Sequence, residues 1–233
     1  MHNWNDHGSG ALASVVQVSG YDAIAREYAL AFADELAHKP SDREFLHYFA
    51  QLVNHSEAGP VLDAGCGPGH AAAELAATGL DVLAVDRSAP MVRIGQQRLP
   101  DVRFTVADMT ALPLPERAVS GVCSWYSIVH TPADELVTVF SEFARVLTNY
   151  GWILLAFQTN APTLEFTRAF GHDVDLRFLR HDVDQVLATL RSVGFTPHRH
   201  TVRPRAAGLG ETADQAFVIA GRSRGGPHRA FRT

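Results

Sequence analysis

The sequence predicts an α/β protein whose mostly parallel sheet is covered by helices on both faces. Short apolar runs, typical of buried strands, alternate with runs at helical spacing between residues 61 and 158. Strands and helices that alternate in this way form parallel pairs, because each helix carries the chain back to the same end of the sheet. The third observation is a glycine-rich turn at 65–69, which joins the first predicted strand to the helix that follows it.

The predicted elements follow from these patterns. The strands are expected at 61–64, 82–85, 102–106, 119–126, 152–158, 195–202 and 216–220. The helices between them are expected at 71–78, 89–98, 132–147, where a proline lies near the first turn, and 184–193. Residues 159–182 interrupt the alternation and are predicted to form an insert.

Two further helices are predicted before the first strand. Residues 21–38 carry apolar side chains at helical spacing, and Pro40 is expected to stop this helix. Ser41 is predicted to cap a second helix, since Glu44 lies three residues later and completes a capping box. This helix is expected to end near Asn54.

The length of 233 residues suits one domain with an extra segment. We expect a flexible N-terminus over 1–20, the main domain over 21–220 and a disordered basic tail over 221–233. Within the domain, residues 21–55 are predicted to form a helical lid, and the insert occupies 159–182.

The composition predicts a cytoplasmic protein. Hydrophobic residues make up 46% and charged residues 19% of the chain, and the formal net charge of −5 disfavours nucleic acid as the main partner. No apolar run reaches the ~18 residues that a membrane-spanning helix needs, and the polar start does not resemble a signal peptide. The two cysteines, Cys66 and Cys123, form no disulfide framework or zinc motif. We therefore expect no membrane association and no metal.

The most specific motif is the segment from Val61 to Gly69, which reads Val-Leu-Asp-Ala-Gly-Cys-Gly-Pro-Gly. Glycines at such a turn allow the backbone to bend sharply and allow a ligand to press against it. A dinucleotide-binding loop would have glycine or alanine at position 70, where this chain has His70. Pro68 also removes one backbone N–H from a potential phosphate cradle. A purely structural glycine turn remains an alternative for this motif alone.

Two acidic positions follow at the ends of the next strands. Asp86 ends the second predicted strand, 21 positions after Gly65, where a carboxylate can accept both hydroxyls of a ribose. Asp108 follows the third strand and could accept the amine of adenine, while Met109 packs on the ring. A solvated loop aspartate and a turn-forming aspartate are the respective alternatives.

Taken together, these motifs resemble those of the class I S-adenosylmethionine-dependent methyltransferases, in the branch that acts on small molecules. Val61–Gly69 is similar to the first motif of that family, Ala84–Met91 to its acidic second-strand signature and Ala107–Leu114 to its adenine segment. The turn Arg145–Gly151 is similar to the Arg-Val-Leu-Lys-Pro-Gly-Gly turn of the family, from which it departs at 148–150.

The resemblance covers residues 21–220 and implies a Rossmann-like, seven-stranded sheet with its last strand antiparallel, which agrees with the number of predicted strands. It implies S-adenosylmethionine as the cofactor, with aspartates and glycines around the methionine and ribose and with two lid tyrosines above them. The implied cofactor-binding residues are Tyr21, Tyr28, Asp63, Gly65, Cys66, Gly67, Asp86, Arg87, Met91, Asp108, Met109 and Ser124. Plain helix packing is the alternative for the two tyrosines.

The acceptor side is predicted less closely. Methyl transfer from a sulfonium requires mainly alignment of the nucleophile and exclusion of water, and a base helps when the acceptor carries a proton. The exit of the fourth strand offers His130 as a candidate base and Tyr126 as a pocket residue. Packing at a helix start is the alternative for His130.

The insert offers polar side chains that could clamp a substrate and aromatic ones that could form an apolar lid. These are His172, Asp173, Asp175, Arg177 and His181, and Phe166, Phe170 and Phe178.

Three other functions remain open from the sequence. The chain could bind S-adenosylmethionine without transferring a methyl group, as a sensor, a partner subunit or a repurposed catalyst. It could be a nicotinamide-dependent oxidoreductase, which His70 disfavours, or a nucleic-acid methyltransferase, which the charge and the lack of an Asn/Asp-Pro-Pro-Tyr/Phe motif disfavour. The expected partner is a small-molecule acceptor, and the expected assembly is a monomer or a homodimer.

Overall fold

The structure, a computed structural model, describes residues 20–56 and 59–222. The predicted flexible N-terminus and disordered basic tail lie almost entirely outside these ranges. Three residues of those predictions are ordered parts of the domain: Gly20 begins the first helix, and 221–222 end the last strand. Within the same ranges, no helix combines the length and the apolar character required to cross a membrane.

Six α-helices, three short 3-10 helices and nine strands make up the described chain. The α-helices are α1 Gly20–Ala31, α2 Pro40–Asn54, α3 His70–Ala77, α4 Ala89–Arg98, α5 Leu136–Val146 and α6 Val183–Ser192. The 3-10 helices are Glu35–His38, Ile128–His130 and Ala207–Leu209. The strands are β1 Val61–Ala64, β2 Val82–Asp86, β3 Arg103–Val106, β4 Val119–Trp125, β5 Leu147–Thr159, β6 Leu164–Ala169, β7 His172–Phe178, β8 Phe195–Arg203 and β9 Asp214–Arg222.

Seven strands form the main sheet, in the order β3-β2-β1-β4-β5-β9-β8. The first five strands pair in parallel, whereas β9 is antiparallel to both of its neighbours, β5 and β8. The predicted Rossmann-like sheet with an antiparallel last strand is therefore confirmed. Because β1 to β5 are parallel, their carboxyl ends lie along one edge of the sheet, where open α/β sheets bind ligands.

Side chains of alternating strand residues build an apolar core on each face of the sheet. On one face, Leu62 and Ile153 join the buried residues of α5 and α6. On the other face, Val61 and Leu154 join those of α2, α3 and α4. The prediction of helices on both faces is confirmed.

The insert consists of the antiparallel hairpin β6–β7, which forms a separate two-stranded sheet. It packs under the start of α1: a Cβ atom on Gly20 would lie 3.0 Å from the side chain of Leu176. The predicted apolar lid of three phenylalanines is only partly formed. Phe178 packs against the core, whereas Phe166 and Phe170 are exposed.

Three predictions about helix boundaries are wrong. Pro40 does not stop a helix but occupies the first turn of α2, where its missing N–H has no intrahelical partner to lose. Lys39, not Ser41, is the N-cap, and it makes no side-chain capping bond. The helix predicted over 132–147 begins only at Leu136, because the preceding residues form a turn closed by the bond from the Glu135 amide to the Pro132 carbonyl.

The remaining helix boundaries differ less. The helix predicted over 21–38 ends as an α-helix at Ala31, and a separate 3-10 turn follows from Glu35. The capped start of α4 is well defined, since the Ser88 hydroxyl accepts a hydrogen bond from the Met91 amide. Helix α4 occupies the predicted range of 89–98.

Close packing of α4 on β3 gives a first prediction. A Cβ atom on Gly95 would lie 2.3 Å from a ring carbon of Phe104, so we expect Gly95→Ala to lower the free energy of unfolding by about 1–3 kcal/mol. Gly208→Ala is the control, because a Cβ atom there meets no atom within 4 Å. Urea unfolding of both variants measures the difference. A Gly95→Ala protein as stable as the parent would contradict the packing described.

Candidate functional site

The glycine loop at the end of β1 is held against the neighbouring strand exits. Gly65 and Gly67 have φ angles of 74° and 52°, in the left-handed region that glycine tolerates best. The amides of Gly65 and Cys66 both donate to the carbonyl of Val85. A Cβ atom on Gly65 would lie 2.2 Å from the Cβ of Ser127, whereas one on Gly67 would meet no atom within 4 Å. The loop is thus packed from below at Gly65 and open at Gly67.

Asp63 lies in β1 just below this loop and is completely buried. Among the described residues, neither of its carboxylate oxygens has a hydrogen-bond partner of good geometry. Burial raises the pKa of this carboxyl group to about 7, the amide of Ala72 partly opposes the shift, and the negative charge of Asp86 adds to it. A buried carboxylate with no counter-charge is costly for the fold and is stabilised by a cation that binds beside it.

Asp86 ends β2 beside the loop, as predicted. One of its oxygens accepts a hydrogen bond of 2.7 Å from the Gly67 amide, and the other accepts one of 2.8 Å from the Ser88 amide. Burial raises the pKa of Asp86, although these amides lower it. Since a carboxylate has about four lone-pair sites, the two amides orient the group and leave acceptor capacity for two hydroxyls.

Helix α1 carries the two predicted lid tyrosines. The rings of Tyr21 and Tyr28 meet edge to face, with centroids 5.5 Å apart. Burial raises the pKa of both phenols, and the charge of Asp86 contributes to both shifts. The two side chains therefore lie near the acidic end of β2, where a lid over the loop should be. Tyr28 also lies beside His70, with ring centroids 6.3 Å apart.

His130 is linked to this lid. Its Nε2 atom is 2.9 Å from the Tyr21 hydroxyl, and its Nδ1 atom is 2.8 Å from the carbonyl oxygen of Arg177. Because a carbonyl oxygen only accepts, Nδ1 carries the proton, and Nε2 accepts the proton of Tyr21. Burial among lid and insert lowers the pKa of His130, although the residue as a whole is exposed at the surface. The imidazole is therefore neutral at pH 7.

The predicted adenine segment lies at the next strand exit. Asp108 uses one oxygen to accept bonds from the Thr110 amide and hydroxyl, and its other oxygen lies 3.3 Å from Nε of Arg87 in an exposed ion pair. The methyl group of Met109 approaches Gly65, since it lies 3.4 Å from the Cβ position of that residue. Met109 is thus at the loop, whereas Met91 is buried behind it.

Two other predicted cofactor residues lie beneath the loop. Ser124 is fully buried, and its hydroxyl lies 2.5 Å from that of Ser127, which donates to the carbonyl of Ala64. Ser124 therefore supports the loop from below. Cys66 is also buried, and burial raises the pKa of its thiol. Ser127 was missed by the sequence reasoning, because nothing in the local pattern indicates that a strand exit will meet the glycine loop.

Tyr126, the predicted pocket residue, has a strained backbone. Its φ angle is 54°, which is unusual for a residue other than glycine, and its amide donates to the carbonyl of Ala156. The phenol oxygen is buried and has no hydrogen-bond partner in the described chain. Burial raises the pKa of this phenol, and the charge of Asp42 adds to the shift. The ring packs against the core cluster that includes the residues of α2.

The polar residues of the insert do not converge. His172, Asp173 and Asp175 are exposed on the hairpin, and the Arg177 side chain pairs with Glu165 across it. His181 is buried, and its Nε2 atom donates to the carbonyl of Ile128, which is a structural role. Within residues 20–56 and 59–222, no three side chains of the His, Cys, Asp or Glu type are arranged to hold a metal ion.

The chain is similar in sequence to known methyltransferases. Residues 61–151 match the family model described as "Methyltransferase domain". A demethylmenaquinone methyltransferase from Beutenbergia cavernae is 29% identical over 65% of this chain and 61% of its own length. A malonyl-[acyl-carrier protein] O-methyltransferase from Yersinia pestis is 31% identical over 58% of this chain and 49% of its own length. The chain thus matches about half to three-fifths of these curated relatives.

A solved S-adenosylmethionine-dependent methyltransferase from Methanosarcina mazei has the same fold. The TM-score is 0.65 at 14% sequence identity, over 73% of this chain and 95% of that one. The family match, the relatives and the fold all agree with the resemblance to the class I S-adenosylmethionine-dependent methyltransferases stated from the motifs, and this resemblance is confirmed.

The residues of the site fit the cofactor of this class. S-adenosylmethionine carries an ammonium and a sulfonium group, and the unpartnered carboxylate of Asp63 is a matching counter-charge. The oriented carboxylate of Asp86 suits a pair of ribose hydroxyls, and the open backbone at Gly67 leaves room for a ligand.

The buried carboxyl group of Asp63 gives a second prediction. A raised pKa in the folded state means that stability falls as pH rises from about 4, the unfolded value, to about 7. We therefore expect Asp63→Asn to raise the free energy of unfolding of the cofactor-free protein at pH 8, by roughly 2–4 kcal/mol, and to change it little below pH 4. Denaturant unfolding at both pH values tests this. An Asp63→Asn protein that is less stable at pH 8 would show that the carboxylate is compensated.

The link between Tyr21 and His130 gives a third prediction. In ¹⁵N–¹H correlation spectra, His130 should be the neutral tautomer with its proton on Nδ1 at pH 7. Tyr21→Phe removes the hydrogen bond that stabilises the neutral ring, so it should raise the pKa of His130 towards the ordinary value of ~6.5. Tyr150→Phe, at an exposed position far from the site, is the control. A protonated His130 at pH 7, or a proton on Nε2, would disprove the arrangement.

Proposed function

We propose that this chain transfers the methyl group of S-adenosylmethionine to a small-molecule acceptor. The observation that supports this most strongly is the buried, unpartnered carboxylate of Asp63 beneath the open glycine loop. Two neighbouring strand ends add Asp86 and the segment of Asp108 and Met109. A parallel sheet brings these groups to one edge in the order that a cationic amino acid, a ribose and an adenine require.

The proposed contacts follow from the positions of the groups. Asp63 would compensate the positive charge of the methionine part, Asp86 would accept the ribose hydroxyls, and Asp108 would accept the adenine amine. Tyr21 and Tyr28 would cover the cofactor from α1. The cofactor supplies a methyl group on a good leaving group, so the task of the protein is to align the acceptor and exclude water.

We further propose that His130 is the base for an acceptor that must lose a proton. Burial holds its pKa below the ordinary value, so the ring is unprotonated at neutral pH. The carbonyl of Arg177 fixes the tautomer and directs Nε2 towards the lid, where the Tyr21 hydroxyl occupies it. Tyr21 must therefore move aside, or pass the proton on, when the acceptor is present. Tyr126 would line the acceptor pocket.

The chemistry of the cysteines supports a cytoplasmic location for this activity. Cys66 and Cys123 are both free and buried, and no disulfide joins them. The helices of the described residues include no candidate for a membrane span.

Calorimetric titration tests the proposed cofactor. We expect S-adenosylmethionine and S-adenosylhomocysteine to bind and NAD to bind far more weakly. Asp86→Ala should weaken adenosyl binding on the order of 10- to 100-fold, because charge-assisted hydrogen bonds to two hydroxyls are lost. Asp81→Ala is the matched control. This exposed aspartate lies just before the start of β2, at the end of the strand opposite to Asp86, and its side chain forms an ion pair with Arg103. Preference for NAD, or equal effects of the two variants, would contradict the proposal.

A further inference from the structure

The segment between β7 and α6 brings Arg180 to the ligand-binding edge of the sheet. The amide of Leu179 donates to the carbonyl of Val129 over 2.7 Å, and the amide of His181 donates to the carbonyl of Gln158 over 3.0 Å. These bonds fix the backbone on both sides of Arg180 between the exit of β4 and the end of β5. The position is close to the candidate base, because the ring of Phe178 lies 4.9 Å from that of His130.

The guanidinium of Arg180 is half-buried and has no counter-ion. Its Nη1 atom donates to the carbonyl of Phe178 over 3.1 Å, and Nη2 lies 3.4 Å from the hydroxyl of Thr212. Its Nε–H is buried without a hydrogen-bond partner, and no described carboxylate lies within ion-pair distance. Burial lowers the pKa of Arg180, yet a guanidinium remains charged in proteins.

The neighbouring cations are compensated, which sets Arg180 apart. Arg203 binds both Asp42 and Glu211, at distances of 2.9 and 2.8 Å. Lys39 pairs with Glu211, at 3.2 Å, and with Glu35, at 2.6 Å. This cluster therefore carries its own negative charges, and it lies next to Thr212, the contact of Arg180. All its carboxylates are engaged with Arg203 or Lys39, so none of them serves as a counter-ion of Arg180.

Two further buried polar atoms at the same edge lack partners. The hydroxyl of Tyr126 and the amide oxygen of Gln158 have no hydrogen-bond partner among the described residues. Tyr126 is bonded to Ala156 of β5, and Gln158 follows two residues later on the same face of that strand. The backbone of Gln158 accepts the hydrogen bond from His181, so Gln158 lies beside the segment that carries Arg180, and Arg180 itself contacts the loop at 204–213 through Thr212.

We propose that Arg180 is the anion-binding residue of the acceptor site and that the acceptor is a small molecule with one carboxylate group. The inference rests on the proposed function and adds the substrate class to it. The Nε–H and a second N–H on a terminal nitrogen remain for the planar, two-point contact that a carboxylate makes with arginine. A phosphate dianion would call for a second free cation. Tyr126 and Gln158 would hydrogen-bond polar groups on the rest of the molecule.

The test uses protein saturated with S-adenosylhomocysteine and pairs of ligands that differ only in charge: benzoate and benzamide, salicylate and salicylamide, and indole-3-acetate and its amide. Affinities are measured by calorimetry and ligand-observed NMR at pH 7.5. At least one carboxylate should bind ~10- to 100-fold more tightly than its amide, and Arg180→Gln should abolish this preference. Arg180→Lys should keep part of the preference, because lysine retains the positive charge but lacks the planar, two-point donor geometry of a guanidinium.

The control is Arg168→Gln, which removes an exposed arginine from the same insert and should leave the preference intact. Affinity for S-adenosylhomocysteine in every sample reports on the proposed cofactor and on folding, so failure of the cofactor proposal is seen separately. The inference is overturned if no carboxylate is preferred, whether both ligands of each pair bind or neither does. It is also overturned if Arg180→Gln keeps the preference, or if phenyl phosphate binds more tightly than benzoate.

Discussion

The site depends on one buried charge that the fold leaves uncompensated. Asp63 belongs to β1, a central strand of a sheet that helices cover on both faces. Its carboxyl group is therefore excluded from water. An isolated fold would be more stable with an apolar or amide side chain there, because burial penalises the ionised form. Retaining a carboxylate at this point makes sense when a cation completes the site. The surrounding features then serve to admit that cation, to hold the group attached to it and to cover both.

The parallel arrangement of the strands places further ligand-binding candidates beside Asp63. Because β1, β2 and β3 end at the same edge, Asp86 and the Asp108 segment lie beside the glycine loop without any long-range contact having to select them. The close approach of Gly65 to Ser127 then joins the loop to the exit of β4, which leads to His130. Tyr21, the proposed lid residue, contacts His130, the proposed base, and would thus link the proposed cofactor side to the proposed acceptor side. One shift of α1 would therefore open both.

The sequence predicted the repeating part of the structure well. Buried strands such as β1 and helices such as α4 depend on local patterns, so their bounds agree closely with the prediction. Helix starts were harder, because Pro40 is compatible with either the end of one helix or the first turn of the next. Ser127 and Arg180 could not be predicted, since their roles arise from contacts across 63 and 32 residues of chain with Ala64 and Thr212. Their immediate neighbours in sequence give no sign of these contacts.

The proton balance of cofactor binding tests the role of Asp63 most directly. S-adenosylhomocysteine is titrated at pH 6.5 in two buffers with different ionisation enthalpies, which gives the number of protons exchanged. If its ammonium group pairs with a carboxyl group whose pKa is about 7, binding lowers that pKa and releases most of one proton. The release should be absent from Asp63→Asn. Binding without proton release by the parent protein would mean that Asp63 is already ionised and compensated, and it would contradict the account.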